Sequence, residues 1–187
     1  MDRYHKVRAF VLAVQRREKD ISATLFTLEK GKISFLAKGA RTLSSHRLAA
    51  LQTGYEISAQ LYQKNEYFWL SEAQTITPFL PKNSLGQLSL LFFFSELLFR
   101  LLPWEEIQPQ IYPLARLGFR SLEKGQVKSF LKTQINLLQI LGFGVGDGII
   151  DKFNKGELQA CQLLLKQQFE EILEGSLKSL KAFQNKI

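Results

Sequence analysis

The sequence predicts an α+β protein in two parts, an N-terminal five-stranded β-barrel domain over residues 1–80 and a C-terminal all-α helical domain over residues 81–187. Three observations carry that expectation. Up to Ile76 the chain is rich in β-branched and aromatic residues, and several segments alternate in character, as half-buried strands require. Beyond Asn83 the apolar residues recur with a helical period instead. Between the two lies Thr77-Pro78-Phe79-Leu80-Pro81-Lys82-Asn83, whose two prolines mark a linker.

Five strands are expected, over residues 5–14, 21–28, 33–38, 51–62 and 67–76. In the fourth, Tyr55, Ile57, Ala59 and Leu61 point one way and Glu56, Ser58 and Gln60 the other. Glu29-Lys30-Gly31-Lys32 makes a hairpin turn between the second and third strands, and Lys64-Asn65-Glu66 makes one between the fourth and fifth. The longest gap, residues 39–50, lies between the third and fourth strands and tolerates helix. That spacing fits a closed Greek-key barrel of the OB type, with a meander sheet packed on the second half as the alternative.

In the second part, Asn83 or Ser84 caps a helix running to about Leu102, apolar around most of its circumference, with Glu96 and Arg100 one turn apart on the polar remainder. Pro103, Pro109 and Pro113 bracket a connection to a shorter helix ending near Lys124-Gly125. A third helix over 126–141 turns Val127, Phe130, Leu131, Ile135, Leu138 and Leu141 inward and Lys128, Lys132 and Asn136 outward. It stops at Gly142, and residues 142–148 read as a helix C-cap followed by a flexible turn. The last helical stretch, from 157 to about 186 and broken near Gly175-Ser176, puts Cys161 on its apolar stripe, as a core thiol and not a redox group.

Charge narrows the function classes. The net charge of +8 and pI near 9.6 suit a polyanionic partner. No acidic residue falls between Lys30 and Tyr55, yet Lys30, Lys32, Lys38, Arg41 and Arg47 do, with His46. A solvated loop face is the plain alternative. One cysteine excludes an internal disulfide and leaves almost no route to a cysteine-built zinc site. The charged N-terminus leads into no signal-type apolar run, and residues 88–102 are too short and too charged for a bilayer, so the cytoplasm is the expected location, with no membrane role.

Catalytic chemistry finds no support. His5 and His46 have no sequence neighbours that would make a triad. Gly142-Phe143-Gly144-Val145-Gly146-Asp147-Gly148 invites a nucleotide-loop reading, but Asp147 stands at the third glycine position and no strand precedes it. The chain is therefore expected to be a binding protein without cofactor.

Three segments in order carry a family resemblance: Thr27-Leu28-Glu29-Lys30-Gly31-Lys32, Ala37-Lys38-Gly39-Ala40-Arg41 and Ala50-Leu51-Gln52. Leu70-Ser71-Glu72-Ala73 and the helix end Leu137-Leu138-Gln139-Ile140-Leu141-Gly142-Phe143-Gly144 extend it over residues 10–145. These resemble the bacterial recombination mediator family RecO. Many members of that family place two CxxC pairs for zinc after the last of these segments. With Cys161 alone, this chain resembles a zinc-less version in which residues 144–156 replace the insertion.

The resemblance implies a non-enzymatic repair protein of the bacterial cytoplasm and nucleoid. It would bind single- and double-stranded DNA, anneal complementary strands, and work with RecR and the C-terminal tail of the single-strand-binding protein to load RecA indirectly. An OB barrel binds strands by a basic groove and by aromatics on which bases stack. Candidate phosphate contacts are Arg16, Arg17, Lys30, Lys32, Lys38, Arg41 and Arg47, and candidate stacking rings are Phe35, Tyr62, Tyr67 and Trp69. Arg116, Arg120, Lys128 and Lys132 are candidates for the acidic tail. An RNA-binding OB module and a protein-binding adaptor remain the rival classes.

Overall fold

The structure is a computed structural model that describes residues 3–17, 20–37, 45–81 and 85–177, the side chains of Arg17, Ser45 and His46 excepted. Its contacts divide the chain into two compact units, one of residues 1–79 with Leu98–Gln108, the other of Leu80–Leu97 with the remainder.

The first unit is a closed barrel of strands β1 (Arg3–Arg17), β2 (Asp20–Thr27), β3 (Gly31–Ala37), β4 (Tyr55–Lys64) and β5 (Tyr67–Pro78), in the order β1-β2-β3-β5-β4 with β4 returning to β1. All ladders are antiparallel except the short β3–β5 pairing, which is parallel and closes the barrel. Period-two alternation fills the interior. Val7, Ala9 and Val11 of β1 meet Leu25, Ile33, Phe35, Ile57, Leu61 and Phe68 in one apolar core. Helix α1 (Ser45–Ala50) lies between β3 and β4, and its end supplies Ala50 and Leu51 to that core.

Two sequence expectations need correcting here. The fourth strand begins at Tyr55 and not at residue 51, because α1 is followed by a turn in which the Gly54 N–H donates to the Val11 carbonyl at 2.9 Å. Glu56, expected outward, is fully buried, and the Arg8 guanidinium donates to its Oε1 at 2.8 Å. An ion pair makes that burial tolerable for a carboxylate.

The barrel unit also takes in Leu98–Gln108, a segment that the sequence groups with the helices. This segment straps the β2–β3 hairpin. Trp104 forms a parallel bridge with Lys32, whose carbonyl accepts from the Glu105 N–H at 2.9 Å. Gly31 has φ +68°, and a Cβ there would lie 1.9 Å from the Glu106 carbonyl oxygen, so only glycine lets the strap close.

The second unit holds α2 (Leu85–Leu101) up to Leu97, then α3 (Ile111–Glu123), α4 (Val127–Ile140), α5 (Asp147–Asn154) and α6 (Leu158–Ile172). Phe94 of α2 meets Phe119 and Phe130 edge-on, and Phe93 meets Phe169 of α6. At Gly118 a Cβ would lie 2.5 Å from the Phe94 ring, which shows how closely α3 approaches α2. Val127, expected inward, is exposed because it opens α4 ahead of the packed turn. The C-cap at Gly142 forms as expected, with the Phe143 N–H donating to Leu138 and that of Gly142 to Gln139. The turn after it ends at Gly146, two residues earlier than expected: residues 147–154 form α5, which Asp147 begins with a favourable negative charge and from which Ile149 is buried. Among the described residues no helix is long and apolar enough to cross a membrane.

Candidate nucleic-acid interface

The strand register assembles an aromatic row that the sequence shows only in part. Tyr4 of β1 stands opposite Tyr62 of β4, Tyr62 opposite Trp69 of β5, and Trp69 opposite Leu36 of β3. All four lie on the outward side, since their neighbours Leu61, Phe68 and Leu70 are buried. The Tyr4 and Tyr62 rings lie 5.2 Å apart, tilted by 50°. Tyr67, two residues before Trp69 on the same outward side, is 69% exposed, and Tyr4 is 63% exposed. Rings on adjacent strands repeat at the ladder spacing of about 4.8 Å. Such a row offers flat apolar faces to unstacked bases while leaving the phosphates outside.

Tyr4 was not among the sequence candidates, although β1 carries the signal: Tyr4, Lys6 and Arg8 alternate with inward Val7 and Ala9. Lys6 is exposed two residues from Tyr4, and Lys64 is exposed opposite Tyr67. Both add cationic charge beside the row. Phe35, by contrast, is 2% exposed and belongs to the barrel core, so it offers no face to a base.

The hairpin cations split. Lys32 is buried, its Nζ donating to the Phe99 carbonyl at 2.7 Å and lying 4.5 Å from the centre of the Trp104 ring. Burial pushes its pKa below the ordinary 10.5. A strand phosphate cannot reach it, which removes Lys32 from the candidate contacts. Lys30, two residues earlier, stays half-buried with its Nζ 5.6 Å from the Phe68 ring, in a cavity of about 220 Å³ that Glu29 and Glu105 also line. Arg16 is exposed near the end of β1, opposite Ile21, and Arg47 is half-buried in the last turn of α1. Lys38, Arg41 and the Arg17 side chain lie outside the described residues.

In the helical unit, Arg116 and Arg120 fall one turn apart on α3, and Lys128 and Lys132 one turn apart on α4. Arg120, Lys128 and Lys132 are exposed, and the Lys128 Nζ lies 5.7 Å over the Phe153 ring of α5. Cys161 is fully buried in α6, and burial raises its thiol pKa. The residues present do not fit a four-cysteine zinc element, because a single thiol facing the core cannot supply it. Among the described residues no group of three or more His, Cys, Asp or Glu side chains could hold a metal ion.

Comparison with known proteins points one way. The family model described as recombination protein O N terminal matches residues 1–79. A DNA repair protein RecO from Acidithiobacillus ferrooxidans is 33% identical over 121 residues, which is 64% of this chain and 47% of that protein. A DNA repair protein RecO from Actinobacillus pleuropneumoniae serotype 3 is 31% identical over 148 residues, 76% of this chain and 60% of that protein. One from Caldanaerobacter subterraneus is 25% identical over 146 residues, 75% of this chain and 59% of that protein. The chain thus spans about half the length of the curated relatives it matches.

Proposed function

Because the chain belongs to the RecO family, we propose that it is a recombinational DNA repair protein that binds single- and double-stranded DNA on its barrel and anneals complementary strands. The observation that carries this reading is the outward row Tyr4–Tyr62–Trp69 with Lys6 and Lys64 beside it. Bases stack on the rings while cations neutralise phosphates, so two strands can be held close without sequence preference. Charge neutralisation lowers the repulsion between complementary strands, and shallow stacking lets bases leave the protein for each other. Arg16, Lys30 and Arg47 extend the phosphate track. No bond is made or broken by the protein in this scheme.

Annealing of complementary oligonucleotides, with and without bound single-strand-binding protein, tests it directly. Acceleration over the spontaneous rate, lost in Tyr4→Ala/Trp69→Ala, is the expected result. An unchanged rate with wild-type protein would exclude the annealing role. RNA that competes as well as DNA would instead favour an RNA-handling module.

The partners follow from the family and belong to the same proposal. RecA would be loaded with RecR and the single-strand-binding protein, whose acidic tail would meet Arg116, Arg120, Lys128 and Lys132. Charge-assisted contacts to tail carboxylates support that choice. Arg120→Glu/Lys132→Glu should abolish tail-peptide binding in fluorescence anisotropy, and unchanged binding would place the tail elsewhere.

A further inference from the structure

Along α6, Gln159, Gln162, Leu163 and Lys166 fall at positions i, i+3, i+4 and i+7, which puts them on one face of the helix. That face borders a cavity of about 280 Å³, walled by Leu90 and Phe93 of α2 and by Gln134 of α4. Gln134 is 2% exposed, and its Nε2 is buried with no hydrogen-bond partner among the described residues. Native interiors leave few such donors unsatisfied. Gln134 also lines the cavity, so a turn of its side chain would bring that donor to an acceptor on a bound molecule. Leu163, 56% exposed, extends the apolar wall towards solvent.

These groups define the ligand. It brings an acceptor to the Gln134 amide, an apolar body to Leu90, Phe93 and Leu163, and an anionic group to Lys166. The three carboxamides each offer both donor and acceptor, the pattern that a base edge matches and that an apolar peptide side chain leaves unused. The volume falls near the lower end of the ~300–1,000 Å³ of small-ligand pockets, room for one nucleotide and not for a duplex. Proteins that hold a single extruded base do so by edge hydrogen bonds and apolar contact.

We propose that this pocket of the helical unit takes one unstacked nucleobase of a single DNA strand, read by Gln134, Gln159 and Gln162, with its phosphate on Lys166. The inference rests on the DNA-binding reading above and adds a second contact to it. A strand pinned by one base in this way is held against sliding, which the sequence-tolerant row on the barrel does not provide.

The test is a titration of the nitrogen-15-labelled full chain with dTMP, dCMP, dAMP and dGMP, following the side-chain amide resonances. The Gln134 amide should shift saturably with at least one nucleotide. Gln134→Leu, an apolar replacement of similar volume, should weaken that nucleotide about tenfold. Lys166→Gln should weaken the monophosphate about threefold and leave the corresponding nucleoside unaffected. Should Gln134→Leu fail to fold, Gln162→Ala on the surface of α6 carries the same expectation as Gln134→Leu. A Gln134 resonance that ignores all four nucleotides, that responds equally to inorganic phosphate, or that moves only with a short peptide ending in an apolar residue overturns the assignment. Anisotropy of labelled oligo(dT) separates the two readings. Strand binding without any Gln134 shift overturns the pocket alone, whereas nucleotide shifts without strand binding overturn the barrel reading and, with it, the assignment of the pocket to a base of a DNA strand.

Discussion

The β2–β3 hairpin and the outer face of β1, β4 and β5 make opposite use of their charge. The hairpin opens the most one-sidedly basic stretch of the sequence, yet Lys32 is sealed beneath Trp104 and Phe99, and Lys30 shares its cavity with Glu29 and Glu105. The β1–β4–β5 face has a less conspicuous sequence, with Glu66 and Glu72 among its residues, and it presents four outward aromatics beside Lys6 and Lys64. A run of cations in sequence is thus no measure of cationic surface. What decides exposure is whether a distant segment covers the strand, and here residues 98–108 cover the hairpin and leave the other face open.

The largest expected effect breaks the strap. Gly31→Ala forces a Cβ against the Glu106 carbonyl at a positive φ, which should cost about 3 kcal/mol or more. For a chain of this length that lowers Tm by about 6–12 °C in calorimetry. A variant melting like wild type would show that the strap does not hold the hairpin.

Next comes stacking. Trp69→Ala and Tyr4→Ala should each weaken oligo(dT) binding by about 1–3 kcal/mol, roughly five- to 150-fold, with the melting temperature little changed. Equal losses from Phe35→Leu, a core change, would shift the explanation from stacking to barrel integrity.

The hairpin cations supply a sharper contrast. With Lys32 committed to Phe99, the track consists of Lys6, Lys64, Arg16, Lys30 and Arg47, so the log–log salt slope for a single strand should be about −3.5 at about 0.7 per contact. Lys30→Gln should reduce it by about 0.7 and Lys32→Met should leave it unchanged. Equal slopes for the two variants would show that sequence proximity, and not exposure, governs the contacts.

The smallest effect is alkaline. Because burial lowers the Lys32 pKa in the folded state, the unfolded chain holds that proton more tightly between the lowered value and 10.5. Stability should therefore rise with pH through that window, and Lys32→Met should flatten the rise in chemical-denaturation titrations.

Much of the barrel was legible because its determinants are local. The alternation of Ile57, Ala59 and Leu61, the turn at Lys30-Gly31 and the turn at Asn65, whose φ is +55°, each depend on neighbours in sequence. The aromatic row was legible only in part. Tyr62 and Trp69 could be named, but Tyr4 joins them through the β1–β4 register, which no local pattern fixes. Glu56 reads as an outward residue by period, and its ion pair with Arg8, 48 positions away, is invisible to any local pattern. The fate of Lys32 was illegible for the same reason, since its partners Phe99 and Trp104 come from a segment whose helical pattern and prolines gave no sign of a return to the barrel. In the helical unit, Gln134 falls among the apolar positions of α4, and its orphan amide acquires meaning only when the α2 and α6 walls are in place.

The central claim, that single strands lie across the Tyr4–Tyr62–Trp69 row, is tested most directly by the emission of Trp69 in a Trp104→Phe background, where it is the sole tryptophan. Titration with unlabelled oligo(dT) should quench that emission saturably, with the same midpoint as binding followed by anisotropy. Emission that stays constant while the strand binds would contradict the account.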